Sequence, residues 1–163
     1  MSNLNEILIR ATREHWATGH FNASTLEQMR VICRVCKELG SPAIIGTSEG
    51  EREHVGLHEA VALRQALRQE FGIPVFLNAD HSKSVESAKA AIEAGYDSIH
   101  IDLSAKSFED NVKGTADVAQ YAQAQKREIS VEGELGYLRG ESKIQKEKIE
   151  VKAEDLTNPG EAR

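Results

Sequence analysis

Apolar residues in this chain come in short runs. Each run is followed by polar residues and then by a longer stretch in which apolar positions recur every three or four residues. The short runs suit strands and the longer stretches suit amphipathic helices. The N-terminal MSNLNEILIRATREHW predicts a helix, and TGHFN (18–22) a first strand. A helix then spans Thr25 to Leu39, with Thr25 and Gln28 placed as a capping box and Gly40 and Pro42 marking its exit. AIIGTS is the second strand, and its helix runs from about Leu57 to Phe71, stopping at Gly72 before Pro74. VFLNAD is the third strand. Ser84 caps the helix in SVESAKAAIEAG, which ends at Gly95; SIHIDLS is the fourth strand, Ser107 opens a long helix through about Arg127, and ISVEGELG is the fifth strand.

Strands that alternate with helices predict parallel pairing through right-handed crossovers. Both a doubly wound open sheet and a TIM (β/α)8 barrel meet that requirement. No G-x-G-x-x-G run follows the first strand, so the α/β barrel is the expected class. The chain has 163 residues, whereas a whole barrel needs roughly 250. The expectation is therefore a single domain over 1–163: an incomplete barrel made of an N-terminal helix and about the first five strands.

Composition narrows the partners. The net charge of −6 comes without a Lys/Arg block carrying interleaved aromatics, which argues against a nucleic-acid surface. No stretch reaches the roughly 20 apolar residues of a membrane span, and the N-terminus lacks a secretory h-region, so a cytoplasmic protein acting on a small molecule is expected. Cys33 and Cys36 lie three apart inside a helical run without a second pair, which reads as buried core thiols in a reducing compartment. His54-x-x-x-His58 has metal-ligand spacing, but Gly56 between them suggests a loop-to-helix junction on the surface. EREH and KIQKEKIEVKAED read as solvated faces or flexible loop.

Chemistry-bearing residues gather at the strand ends: Asn22, Ser48, Asp80 with His81, Asp102, and Glu132 with Glu134. In a barrel all of these share the C-terminal rim, where active sites form. Alternation puts Asp102 and Glu134 at the mouth, with His100 a layer deeper. Buried carboxylates need a counter-charge, which a divalent metal supplies. Asp80 and His81 are neighbours where the chain leaves the regular pleat, so both side chains can reach one substrate.

The succession GHFN, TSEG, NADHS, SIHIDLS-x-x-SFEDN and SVEGELG resembles the class II, metal-dependent fructose-bisphosphate aldolases and their tagatose-bisphosphate relatives across almost the whole chain. The resemblance implies that Asp80 is the catalytic proton donor and His81 a ligand of a catalytic Zn²⁺. It implies a second divalent metal position at Asp102 and Glu134, and substrate contacts from Ser48 and Asn22. The substrates would be phosphorylated ketoses and triose phosphates, and the full-length enzyme a homodimer or higher homo-oligomer. Zinc suits such chemistry because carbon–carbon cleavage beside a carbonyl leaves negative charge on the ketose oxygens.

Three departures stand beside this resemblance. The Gly-Gly and acidic residues usual after ELG are replaced by YLRGESKIQKEK, where Glu141 is the candidate acid. The turn after IDLS reads AKSF and brings Lys106 toward the rim. The two remaining zinc-ligand histidines and the phosphate-binding strands fall beyond Arg163, so residues 1–163 alone are expected to be inactive. A lysine aldolase using Lys83 or Lys106 is disfavoured, because both fall in polar loops. The alternative to an enzyme is a non-catalytic barrel fragment or divergent homologue acting as an interaction module.

Overall fold

The computed structural model describes residues 3–137, 146 and 148–163. Helix α1 (Leu4–Glu14) is closed at its start by a capping box between Asn3 and Glu6. Five parallel strands follow: β1 (His20–Asn22), β2 (Ala43–Thr47), β3 (Val75–Ser82), β4 (Ser98–Ile101) and β5 (Ser130–Gly133). They pair in the order β1-β2-β3-β4-β5. Sequential order is that of a barrel, since a doubly wound sheet reverses direction part-way across.

Helices α2 (Leu26–Glu38), α3 (Glu49–Val55), α4 (Leu57–Phe71), α5 (Val85–Ala94) and α6 (Phe108–Gln123) connect the strands. Thr25 and Gln28 form the expected capping box. Ser84 and Ser107 accept hydrogen bonds from the amides of Ser87 and Asp110. Short α3 was not expected: the stretch read as a loop is a helix, broken from α4 by Gly56 at φ +92°. β3 runs two residues past the expected Asp80, and α6 stops at Gln123, short of Arg127.

The two faces of the sheet carry different residues. Ala43, Ile45, Val75, Leu77, Ile99 and Ile101 point to the helices and form the main core, which also takes Cys33 and Cys36. The pKa of Cys33 rises to about 11, mainly because burial disfavours the thiolate. On the opposite face, Ile44 and Phe76 pack under Leu4 and Ile7 of α1. Farther along that face the side chains become polar. Tail residues fold back as well: Tyr137 donates its amide to the Asp155 carbonyl at 2.7 Å, and the Thr157 hydroxyl donates to the Leu135 carbonyl at 3.0 Å. Asp155, from the run read as solvated, is buried.

At the far end from the strand tips, Asp97 ties the layers together. Its carboxylate accepts the Leu77 amide at 2.9 Å, Arg64 at 2.8 and 3.0 Å and Arg68 at 3.2 Å. Removing that carboxylate strands two shielded guanidinium groups. Asp97→Ala should therefore lower unfolding stability by roughly 3 to 5 kcal/mol, read as a shifted urea midpoint; a change within about 0.5 kcal/mol would contradict this role. Native Cys33 and Cys36 should also resist a thiol reagent at pH 8 and react fully in urea; rapid native labelling of both would contradict the packing.

Candidate metal centre at the strand ends

Regular alternation would send Asp80 and His81 to opposite faces of the sheet. The pairing register shows how this is avoided. Ala79 lies opposite Ile99 and Ser82 opposite Ile101, so β3 spends three steps where β4 spends two. That extra residue is a β-bulge. His81 sits there with φ +47°, left-handed backbone that non-glycine residues seldom adopt. The turn brings the His81 ring to the polar face, where its centroid lies 4.3 Å from that of His100.

Each group at the rim is held by another. Asp102 Oδ2 bonds His81 Nδ1 at 2.7 Å and also pairs with the Lys83 ammonium; Asp102 Oδ1 accepts the Ser104 amide at 3.1 Å. With Asp102 on Nδ1, Nε2 is the ring nitrogen left to ligate a metal. Asn22 donates to Asp80 Oδ2 at 2.8 Å, and His100 Nδ1 approaches Asp80 Oδ1 at 3.5 Å, an ion-pair distance. His100 Nε2 meets Glu134 Oε2 at 2.9 Å. His100, expected a layer below the mouth, thus bridges two rim carboxylates.

Asn22 reaches Asp80 across an intervening strand, and Gly46 of β2 is the reason. Asn22 lies beside Gly46, which lies beside Asn78. A Cβ on Gly46 would come within 2.4 Å of His20 Nε2 and 2.8 Å of Asn22 Oδ1. Glycine leaves the lane through which the amide passes.

Ser48 caps α3, and its amide donates to Glu51 Oε2 at 2.7 Å, an atom shared with Asn22 at 3.1 Å. Glu134 is placed just past β5, its carbonyl accepting from Asn111 of α6 at 2.7 Å. Lys106 is exposed on the loop after β4. Glu141 lies outside the described residues. His54 and His58 are exposed on either side of Gly56. Lys83 is ion-paired to Asp102, and an ammonium held by a carboxylate is not a Schiff-base nucleophile.

Asp80, His81 and His100 each offer a donor atom, and these lie within 4.8 Å of one another. The imidazole donors match the nitrogen preference of a divalent metal such as zinc, and the Asp80 carboxylate lies beside them. The Asp102–His81 pair is the outer carboxylate contact that metal-bound histidines commonly have. These three residues could hold a divalent metal.

A family model described as "Fructose-bisphosphate aldolase class-II" matches residues 2–163. The chain belongs to that family. The fructose-bisphosphate aldolase of Geobacillus stearothermophilus is 39% identical over 142 residues, covering 85% of this chain and 49% of its own length. That of Helicobacter pylori is 37% identical over 160 residues, covering 97% of this chain and 50% of its own. Among solved structures, the YdjI aldolase of Escherichia coli K12 superposes with a TM-score of 0.75 at 27% identity, covering 87% of this chain and 53% of that one. The chain spans about half the length of these aldolases. The same match supports the partial-barrel reading of the five strands. Among the described residues no helix is long and apolar enough to cross a membrane.

Charge balance at the rim sets the pH response. Burial pushes the Asp80 carboxyl up, but the His100 and Asn22 contacts, with nearby His81 and His20, outweigh it and hold the group at about 2. The folded value lies below the ordinary 3.8, so this stabilisation is present above pH 4 and is lost as pH falls toward 2. His100 moves the other way. Burial lowers its pKa, but Asp80, Glu132 and Glu134 outweigh that and raise it, so its contribution is complete at acid pH and fades as pH rises through the raised value. Asn22→Ala removes one of several partners from Asp80 and should flatten the loss of stability between pH 5 and pH 3 by on the order of a few tenths of a kcal/mol. Urea midpoints at the two pH values measure this, and an unchanged difference would show that Asn22 does not hold Asp80.

Proposed function

We propose that the natural protein is a zinc-dependent aldolase that reversibly cleaves a ketose bisphosphate, fructose 1,6-bisphosphate or tagatose 1,6-bisphosphate, into dihydroxyacetone phosphate and glyceraldehyde 3-phosphate. The observation that carries this reading is the pair at the bulge: a carboxylate and an imidazole on consecutive residues face one mouth, and the imidazole is fixed by a third residue. In the cleavage direction Asp80 takes the proton of the hydroxyl that becomes the aldehyde. The carbon–carbon bond breaks, and its electron pair stays on the fragment bearing the carbonyl. The metal supplies Lewis acidity to the ketose oxygens as that charge develops. His81 holds the metal, Asp102 orients His81, and Asn22 and Ser48 contact the substrate.

The present partners of Asp102 and Glu134 bear on the proposed second metal position. Asp102 serves the metal through His81. A second divalent ion bound by both acids would have to take the place of Lys83 on Asp102 and of His100 on Glu134. Lys106, in the turn after β4, bears on which ketose is preferred. A cytoplasmic homo-oligomer acting on soluble sugar phosphates completes the reading.

Two neighbours have separable roles. Asp80→Asn should keep zinc but lose roughly 10²- to 10⁴-fold in turnover, whereas His81→Ala should lose the metal, as metal analysis after dialysis would show. Equal zinc loss in both variants would make Asp80 a ligand and reject the division of labour. Wild-type cleavage should stop with EDTA and return with Zn²⁺. Cleavage that survives chelation and is trapped by borohydride would identify a lysine enzyme.

A further inference from the structure

Arg52 belongs to the charged run EREH, which the sequence alone reads as solvated; in the structure it is 6% exposed. Its guanidinium lies beneath the rim and connects two strand ends. Nη1 donates to the Thr47 carbonyl, at the end of β2, and to the Asp80 carbonyl at 3.2 Å. Nη2 donates to the Ser82 hydroxyl at 3.3 Å, and Glu49 lies 3.9 Å away. Burying a guanidinium is costly unless its donors are used. Here two of the bonds go to the residues that flank His81.

A bulge leaves backbone groups without ladder partners, and a buried carbonyl needs a donor from elsewhere. The Asp80 carbonyl receives one from Arg52. The next peptide carries His81 at φ +47°, a conformation that persists only where surrounding contacts over-determine it. On the far side, the Ser82 carbonyl accepts the Asp102 amide at 2.9 Å while the Ser82 hydroxyl takes Arg52. Residues 80 and 82 are thus clamped from the α3 side and the β4 side. No other described cation reaches both of them.

We infer that Arg52 is a positioning residue: through the Asp80 carbonyl and the Ser82 hydroxyl it holds the bulge that aims the Asp80 carboxylate and the His81 imidazole into one site. Lysine cannot reproduce this, because a single ammonium lacks the planar fork that reaches Thr47, Asp80 and Ser82 together. The inference rests on the proposed roles of Asp80 and His81 where activity is the readout. The geometric claim can be tested without activity.

Arg52→Lys and Arg52→Ala in the natural protein provide the test, each first checked for a cooperative unfolding transition. A displacement of about 1 Å can cost up to 10²-fold in rate. In Arg52→Lys, kcat should fall by roughly tenfold or more with KM changed by less than about threefold. Adding guanidinium to Arg52→Ala at concentrations that leave wild type unaffected should recover part of the lost kcat, whereas equal urea or NaCl should not. Crystals of Arg52→Lys should show the Asp80 carboxylate or the His81 ring moved from its wild-type place while the rest of the sheet superposes. A wild-type rate in folded Arg52→Lys, or a bulge superposable on wild type, would overturn the inference. So would a kcat loss that only tracks lost stability and is not rescued by guanidinium. If wild type itself shows no chelator-sensitive cleavage, the aldolase reading fails, and the crystal comparison alone decides the role of Arg52. If Arg52→Ala does not fold, Arg52→Lys decides.

Discussion

One inserted residue between Ala79 and Ser82 sets how the groups at the strand ends face one another. A parallel strand with unbroken pleat presents every second side chain to a given face, so an adjacent acid and imidazole could never share a site. The left-handed residue at His81 removes that restriction, at a conformational cost of order 1 to 3 kcal/mol. Contacts on three sides meet the cost. Asp102 takes the ring, its backbone amide takes the Ser82 carbonyl, and Arg52 takes the carbonyl and hydroxyl on either side. A strained residue where the reactive groups meet is the expected place for such an investment in geometry.

The rest of the fold makes that point of strain affordable to hold. Outward-facing Ile, Leu and Val residues anchor the strands to the helices, and α1 closes the opposite face with Leu4 and Ile7 on Ile44 and Phe76. The same strand face runs from apolar at its α1 end to polar at its tips, so dry packing gives way to a rim of carboxylates and imidazoles over a few residues. Gly46 is part of the design, since a side chain there would block Asn22 from Asp80. The rim groups then hold one another: two acids flank His100, while Asp102 lies between His81 and Lys83.

Periodicity made most of the architecture legible, because strands buried on one face by helices and helices capped by Thr25, Ser84 and Ser107 leave strong local signals. The position of Asp80 and His81 was legible for the same reason, being where an apolar run ends. Helix α3 was not: it has seven residues, rich in charge, and its order comes from contacts with β2 and β3 rather than from an apolar stripe. Arg52 was misread accordingly, since a guanidinium is normally solvated and only the fold reveals carbonyls waiting for it. His100 on β4 is buried two residues before Asp102, as alternation suggests, but alternation says nothing of its ring reaching Asp80 and Glu134. Once a bulge is suspected from adjacent reactive residues at a strand end, a nearby Arg is the signal to look for.

The bulge is proposed to give His81 to the metal and to leave Asp80 free to carry the proton. Diffraction at the zinc absorption edge, from crystals of the natural protein loaded with Zn²⁺, examines it most directly. An anomalous peak is expected about 2.0 to 2.1 Å from His81 Nε2, with Asp102 still on Nδ1 and both Asp80 oxygens outside bonding distance of the ion. Zinc bonded to Asp80 with the His81 ring turned away would contradict it.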